Sequence, residues 1–258
     1  MRTNLRQRAF DPGEIELMDV AETADATLIA DLKNLRQLNR WFGSYRLIRH
    51  YLAMLVQPGS SHRFLDLCTG SGDIPRLIVD WCREHEVSIE VEALDFQDAT
   101  LSVAKSLSVS YPEIQFRQCD VTRLAANQEY TGVFCSLALH HFSEVDATNI
   151  LRQMLAATTG FALVADLERS LLTWLGVRFI TSTVFREPMT VHDALLSVRR
   201  SFSYEELAQI AMEAGWINFQ HRRFLYGRQA MLVQYYTSAS SIVPLNFGSS
   251  GSTPKLSA

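Results

Sequence analysis

Apolar positions along the chain change their spacing twice. Between residues 21 and 60 they recur at helical intervals: Leu28, Ile29, Leu32, Leu35 and Leu38, then Trp41, Phe42, Leu47, Ile48, Tyr51, Leu52 and Leu55 around Gly43. That spacing predicts two amphipathic helices, punctuated at their end by Gly59 and the Ser60–Ser61 pair. Between about 62 and 167, short apolar runs alternate with helical stretches. Strands are predicted over 63–67, 89–95, 114–119, 132–137 and 161–166, with helices near 74–85, 97–108 and 145–157. Alternation on this scale implies a parallel sheet covered on both faces. The unbroken run Phe161-Ala-Leu-Val-Ala165 suits a central strand buried on both sides.

Beyond Asp166 the pattern changes again. Residues 167–200 are longer than a minimal crossover and rich in Leu171, Leu172, Trp174, Leu175, Phe179, Ile180, Val184 and Phe185, which reads as an inserted lid. Ser203-Tyr-Glu-Glu206 matches a capping box, and Gly215 supplies a left-handed stop for the helix between them. Runs over 217–225 and 229–236 flank Tyr226-Gly227-Arg228 and predict an antiparallel hairpin at the sheet edge. Residues 1–20 have no sustained period and are expected to form an irregular arm. Residues 237–258, dominated by Ser, Gly, Pro and Thr, are expected to be a flexible tail. Residues 21–236 then form one domain: a helical cap over 21–60 and a core over 62–236 with the lid at about 167–201.

Composition narrows the function. Of 258 residues, 47% are apolar and 20% charged, as in a folded globular protein. The net charge of −4 leaves no basic excess to neutralise a phosphate backbone, so nucleic acid is not the expected partner. Cys68, Cys82, Cys119 and Cys135 stand far apart without a C-x-x-C pair. Neither a disulfide framework nor a metal site is expected, and a reducing cytoplasm fits. No apolar stretch follows Arg2, Arg6 and Arg8, and no run reaches the ~18 residues of a membrane span. Oligomeric state is not legible.

The segment that carries chemistry is Phe64-Leu-Asp66-Leu-Cys68-Thr-Gly70-Ser-Gly72-Asp73-Ile-Pro75, an apolar strand that ends in a carboxylate and runs through a glycine turn into a helix. Gly70 and Gly72 allow close backbone approach to a ligand. A dinucleotide fingerprint would need a third glycine where Pro75 stands, which disfavours a nicotinamide enzyme. The pattern resembles that of class I S-adenosylmethionine-dependent methyltransferases, with Cys68 in place of the first glycine. The chain is similar in particular to bacterial small-molecule methyltransferases of ubiquinone, menaquinone and phenolic-lipid synthesis. Asn34 to Gly43, Leu139-His140-His141-Phe142, Asp166-Leu-Glu-Arg169-Ser170 and Ser197-Val-Arg199 carry this further likeness.

The resemblance implies a Rossmann-like seven-stranded, mostly parallel sheet with an antiparallel C-terminal hairpin, and S-adenosyl-L-methionine as cofactor. Its binding residues would be Asp66, Cys68, Gly70, Gly72, Asp73, Asp95, Phe96, Asp120 and Val121. Asp95 would accept hydrogen bonds from the ribose hydroxyls, Asp120 would face the adenine amino group, and Val121 would lie against the ring. The acceptor would be a small aromatic or apolar molecule, methylated at oxygen or at a ring carbon. Because a phenol titrates near 10, a general base is useful, and His140, His141 and His192 are the candidates. Arg169, Arg199 and Arg200 are candidates for holding a phenolate or carboxylate.

The lid's apolar residues have two readings: packing on the sheet, or lining an acceptor pocket with Trp41 and Phe42. The stretch also allows peripheral contact with a membrane surface. A second functional class stays open, a partner subunit that binds the cofactor or its product without chemistry. An RNA-modifying role is disfavoured, because Ser136-Leu-Ala-Leu139 stands where an N/D-P-P-Y/F segment would be.

Overall fold

A computed structural model describes residues 5–20, 23–125, 127–184 and 188–235. The expected tail at 237–258, and Phe185 of the lid, lie outside the described residues. After a 3-10 turn at Leu17–Val20, helices α1 (Ala26–Trp41) and α2 (Ser44–Leu55) form the predicted cap. Asp25 starts α1 by accepting a hydrogen bond from the Leu28 N–H at 2.8 Å. Gly43, at φ 80°, makes the left-handed break between the two helices.

The alternating core follows as β1 (Ser61–Leu67), α3 (Asp73–Glu84), β2 (Ser88–Asp95), α4 (Asp98–Leu107), β3 (Ile114–Gln118), β4 (Tyr130–Ser136), α5 (Glu144–Ala157) and β5 (Thr158–Leu167). Helices α6 (Leu171–Thr183) and α7 (Pro188–Arg200) fill the expected lid. Helix α8 (Tyr204–Glu213) and strands β6 (Gln220–Phe224) and β7 (Arg228–Gln234) complete the order.

The seven strands run β3-β2-β1-β4-β5-β7-β6. The first five are parallel, and β7 lies antiparallel between β5 and the edge strand β6. Successive residues of a strand point to opposite faces, so each strand feeds two cores. Leu65, Cys135 and Val164 pack with Ile150 and Met154 of α5 and Leu207 of α8. Phe64, Phe134 and Phe161 pack on the other face with Leu52 of α2 and Ile78 and Trp81 of α3. The parallel order reverses between β1 and β4, and in such sheets ligands bind outside the carboxyl ends of the strands at that point.

Cap and lid meet over those ends. Thr190 of α7 donates to the Asp31 carboxylate of α1 at 2.6 Å and accepts from the Asn34 amide at 3.1 Å. Neither reading of the lid's apolar residues holds in full. Val177 is buried, whereas Leu171, Leu172, Leu175 and Phe179 of α6 are exposed. Residues 5–16 of the N-terminal arm form no helix or strand, yet the arm is docked. Arg8 donates to the carbonyls of His140 at 3.0 Å and Phe142 at 2.6 Å, and the N–H groups of Leu17 and Met18 bond the Asp193 carboxylate at 2.9 and 3.0 Å.

Candidate functional site

A cavity of about 660 Å³ opens where the carboxyl ends of the parallel strands meet the arm, α1 and α7. Its floor is the turn after β1. Cys68, Gly70 and Gly72 all take left-handed φ, at 56°, 54° and 71°. Cys68 therefore keeps the conformation for which a glycine is ordinarily chosen.

Asp95, at the end of β2, accepts from the Gly70 N–H at 2.8 Å and from the Gln97 N–H at 3.1 Å, and so ties the turn to its neighbouring strand. Gly72 serves packing: a Cβ there would meet the Phe116 ring at 3.0 Å, and the residue does not line the cavity. The Asp73 carboxylate opens α3 and accepts from the Tyr45 hydroxyl at 2.8 Å and the Asn39 amide at 3.3 Å, joining the turn to the cap.

Polar groups without partners mark this floor as a place for a ligand. Asp66 Oδ1, Thr69 Oγ and Ser136 Oγ are buried without a hydrogen-bond partner, and all three residues line the cavity. Burial pushes the Asp66 carboxyl up to about 8. Phe96 is exposed, Val121 is buried and apolar, and Asp120 lies near the surface; all three also line the cavity. Arg36, with a buried Nη1 that lacks a hydrogen bond, and Arg228 supply the cavity's two guanidinium groups. Arg228 donates to Ser44 Oγ at 3.0 Å, and burial lowers its pKa to about 10.

The histidine pair sits on a 3-10 turn, Leu139–His141, just past β4. His140 is buried and donates its Nδ1–H to Asp166 Oδ1 at 2.7 Å, while its main-chain N–H bonds Oδ2 at 3.1 Å. His141 donates its Nδ1–H to Asp19 Oδ2 at 2.9 Å. Both free Nε2 atoms point toward buried Glu16, at 3.9 Å from His140 and 3.7 Å from His141. Ser197 of α7 donates to Oε1, the Glu16 oxygen nearer His140, at 2.8 Å.

The charges follow from this crowding. Burial opposes the His141 charge, but Glu16 and Asp19 outweigh it and push the imidazole up to about 10. Burial also opposes the Asp166 charge, yet His140 beside it holds that carboxyl below its ordinary range. Burial raises the Glu16 carboxyl.

Asp66, Cys68, Gly70, Asp73, Asp95, Phe96, Asp120, Val121, His140 and His141 are brought together on this cavity. His192 is not. It stands half-exposed outside the cavity lining, bonded to Asp193 Oδ1 at 2.8 Å. The three candidate arginines are occupied elsewhere. Arg169 is buried against Glu206 at 2.6 Å, Arg199 pairs with Glu14 at 3.2 Å, and Arg200 reaches the His141 carbonyl at 3.4 Å. Of the two aromatic candidates in the cap, Phe42 lines the cavity and Trp41 does not. Sequence reasoning passed over Glu16, Asp19, Asp166, Arg36 and Arg228. Asp166 had a readable signal, since it ends its strand as Asp66 and Asp95 end theirs. Glu16 and Asp19 had none, because they sit in the aperiodic arm.

Comparisons with known proteins agree with this geometry. Residues 64–159 match the family model described as a methyltransferase domain. Over 105 residues the chain is 34% identical to the 2-phytyl-1,4-naphtoquinone methyltransferase of Thermosynechococcus vestitus, an alignment that spans 40% of this chain and 44% of that protein. The fold resembles human N-acetylserotonin methyltransferase in complex with SAM, at TM-score 0.59 and 14% identity, over 81% of this chain and 56% of the other. It also resembles the magnesium protoporphyrin IX methyltransferase of Synechocystis with bound SAH, at TM-score 0.52 and 14% identity, over 75% and 84% of the two chains.

Proposed function

We propose, from the match of residues 64–159 to a methyltransferase domain, that this protein is a class I S-adenosylmethionine-dependent methyltransferase that transfers a methyl group to an oxygen or ring carbon of a small aromatic acceptor. The observation that carries the reading is the row of orphaned polar atoms on the cavity floor, Asp66 Oδ1, Thr69 Oγ and Ser136 Oγ. Buried polar groups need partners, and a cofactor with ribose hydroxyls and a cationic amino-acid end supplies them. S-adenosyl-L-methionine would bring an electrophilic methyl group on a sulfonium. Asp66 would face the cationic end, Asp95 the ribose, and Asp120 and Val121 the adenine. The left-handed turn through Gly70 would let the main chain come close.

Much of the catalysis in such a transfer is alignment of the two reacting partners. The rest is removal of the acceptor's proton, before transfer to oxygen or after transfer to carbon. His140, with its Nδ1 committed to Asp166, would take this proton, beside the His141 imidazolium that Glu16 and Asp19 hold; both residues line the cavity. Ile15, Leu35, Leu38 and Phe42 give the remaining walls an apolar surface, which suits an aromatic or lipid-like acceptor. The quinone methyltransferase relative supports an acceptor of this chemistry. Cys68, Cys82, Cys119 and Cys135 are unpaired, which suits the cytoplasm. Among the described residues no helix is long and apolar enough to cross a membrane.

Calorimetric titration with S-adenosylhomocysteine and with NAD tests the cofactor; labelled methyl transfer to a panel of phenols and quinols tests the activity. Asp95→Ala is expected to weaken S-adenosylhomocysteine binding by about 1.5–3 kcal/mol, the worth of hydrogen bonds to a charged group. An unchanged dissociation constant would sink that assignment, and NAD binding in place of S-adenosylhomocysteine would sink the reading itself.

A further inference from the structure

Glu16, His140 and His141 converge on one small volume at spacings that proton transfer does not explain. One donor atom from each, taken together, lies within 4.8 Å of the other two. The Nε2-to-Glu16 separations of 3.9 and 3.7 Å are too long for hydrogen bonds. They are a few tenths of an ångström beyond the roughly 3.4 Å between two donors that each stand about 2.0–2.2 Å from a tetrahedral ion. A cluster built only to share protons would close one imidazole onto the carboxylate.

Instead, every member is held by a further partner. His140 Nδ1 is bonded to Asp166, His141 Nδ1 to Asp19, and Glu16 Oε1 to Ser197. A carboxylate behind each imidazole fixes the ring and aims Nε2 at the shared centre, the usual support of a metal-binding histidine, and an ion entering there displaces the Nε2 proton of His141.

We propose that Glu16, His140 and His141 bind one divalent transition-metal ion, with the open coordination positions facing the cavity. Two imidazoles and one carboxylate without a thiolate suit Zn²⁺ or Fe²⁺ better than the all-oxygen cations Mg²⁺ and Ca²⁺. Three carboxylates, Glu16, Asp19 and Asp166, surround the position. Arg8 and Arg200 offset part of that charge from the main-chain side, where they bond the carbonyls of His140, Phe142 and His141. All three ligands line the cavity, so an ion has a path in. The sequence showed no metal-binding spacing because the third ligand lies more than a hundred residues from the histidines.

On the methyl-transfer reading, on which this step rests, the ion's open position takes a hydroxyl oxygen of the acceptor. Coordination lowers the pKa of that hydroxyl, and with both imidazoles on the ion the proton leaves to solvent through the cavity mouth rather than to a histidine. For transfer to oxygen, the oxygen lone pair forms a bond to the methyl carbon as the carbon–sulfur bond breaks. The products are the methyl ether, S-adenosylhomocysteine and one proton.

The test uses the full chain, dialysed against EDTA and titrated with Co²⁺, followed by visible d–d absorption and by calorimetry. One equivalent is expected to bind. Glu16→Gln is expected to weaken Co²⁺ at least tenfold, and Asp19→Asn, on the partly exposed arm, ten- to a hundredfold. Circular dichroism checks the fold of each variant, and Asp19→Asn keeps the test decisive if Glu16→Gln does not fold. Wild-type protein that takes up no Co²⁺, or variants that bind it as tightly as wild type, overturn the proposal. A parallel titration with S-adenosylhomocysteine separates the two ideas: its binding without Co²⁺ uptake removes the ion and leaves the methyltransferase reading, and the reverse pattern removes that reading and leaves the ion site.

Discussion

Cys68 shows how a motif can lose a residue and keep its shape. A non-glycine residue at left-handed φ costs about 1–2 kcal/mol, and its side chain packs against the Leu65–Leu67 core, which offsets part of that. Burial raises the thiol pKa well above its ordinary value, so Cys68 is a packing group and a poor nucleophile. The two glycines that remain do different jobs. A Cβ on Gly70 would meet nothing within 4 Å, whereas one on Gly72 would meet Phe116 at 3.0 Å. Gly70→Ala is expected to lose about 1 kcal/mol of stability from backbone strain alone, and Gly72→Ala about 2–4 kcal/mol from strain plus overpacking. Urea unfolding of both variants checks this, and equal losses would contradict the division. At this scale the sequence displayed the floor of the site, because Asp66, Gly70 and Asp95 lie on strand ends and a turn that local pattern announces. It left out Glu16 and Asp19, whose places are fixed only by partners such as His141, 122 positions away from Asp19.

Elements were legible where a local device specifies them. Ser203 and Glu206 bond each other's main-chain N–H at 3.2 and 2.9 Å, so the start of α8 is written in four residues. Ser203→Ala is expected to cost about 1 kcal/mol, read as a lowered midpoint in thermal unfolding with the cofactor site unchanged. Glu206 has a second duty that local pattern does not display, holding buried Arg169 at 2.6 Å. Helix α6 was harder to read. Its apolar residues were numerous enough to suggest burial, but Val177 and Thr181 face inward while Leu171, Leu172, Leu175 and Phe179 stay exposed. Composition counts apolar residues; which of them are covered depends on the neighbours, and α6 packs chiefly on α7 and on the hairpin turn at Gly227.

For the whole molecule, the buried acid at the cavity floor links stability to pH. Asp66 titrates near 8 in the fold and in the ordinary carboxylate range, near 4, in the unfolded chain. Its contribution is therefore full below about pH 4 and is lost as pH rises toward 8, because the fold holds a proton that the unfolded chain has released. The ligand-free protein is expected to lose stability across this window by at most about 1.4 kcal/mol per pH unit from this group. Asp66→Asn is expected to flatten the slope, measured by denaturant unfolding at a series of pH values; an unaltered slope would refute the assignment.

The docked arm has a further consequence, for the order in which the molecule is made. Arg8 reaches the carbonyl of Arg200, 192 positions later, and Met18 reaches Asp193, 175 positions later. Synthesis proceeds from the N-terminus, so the arm emerges long before α7, the helix on which it docks. The arm, early in the chain, closes the last wall of the cavity only when α7, late in the chain, is there to hold it.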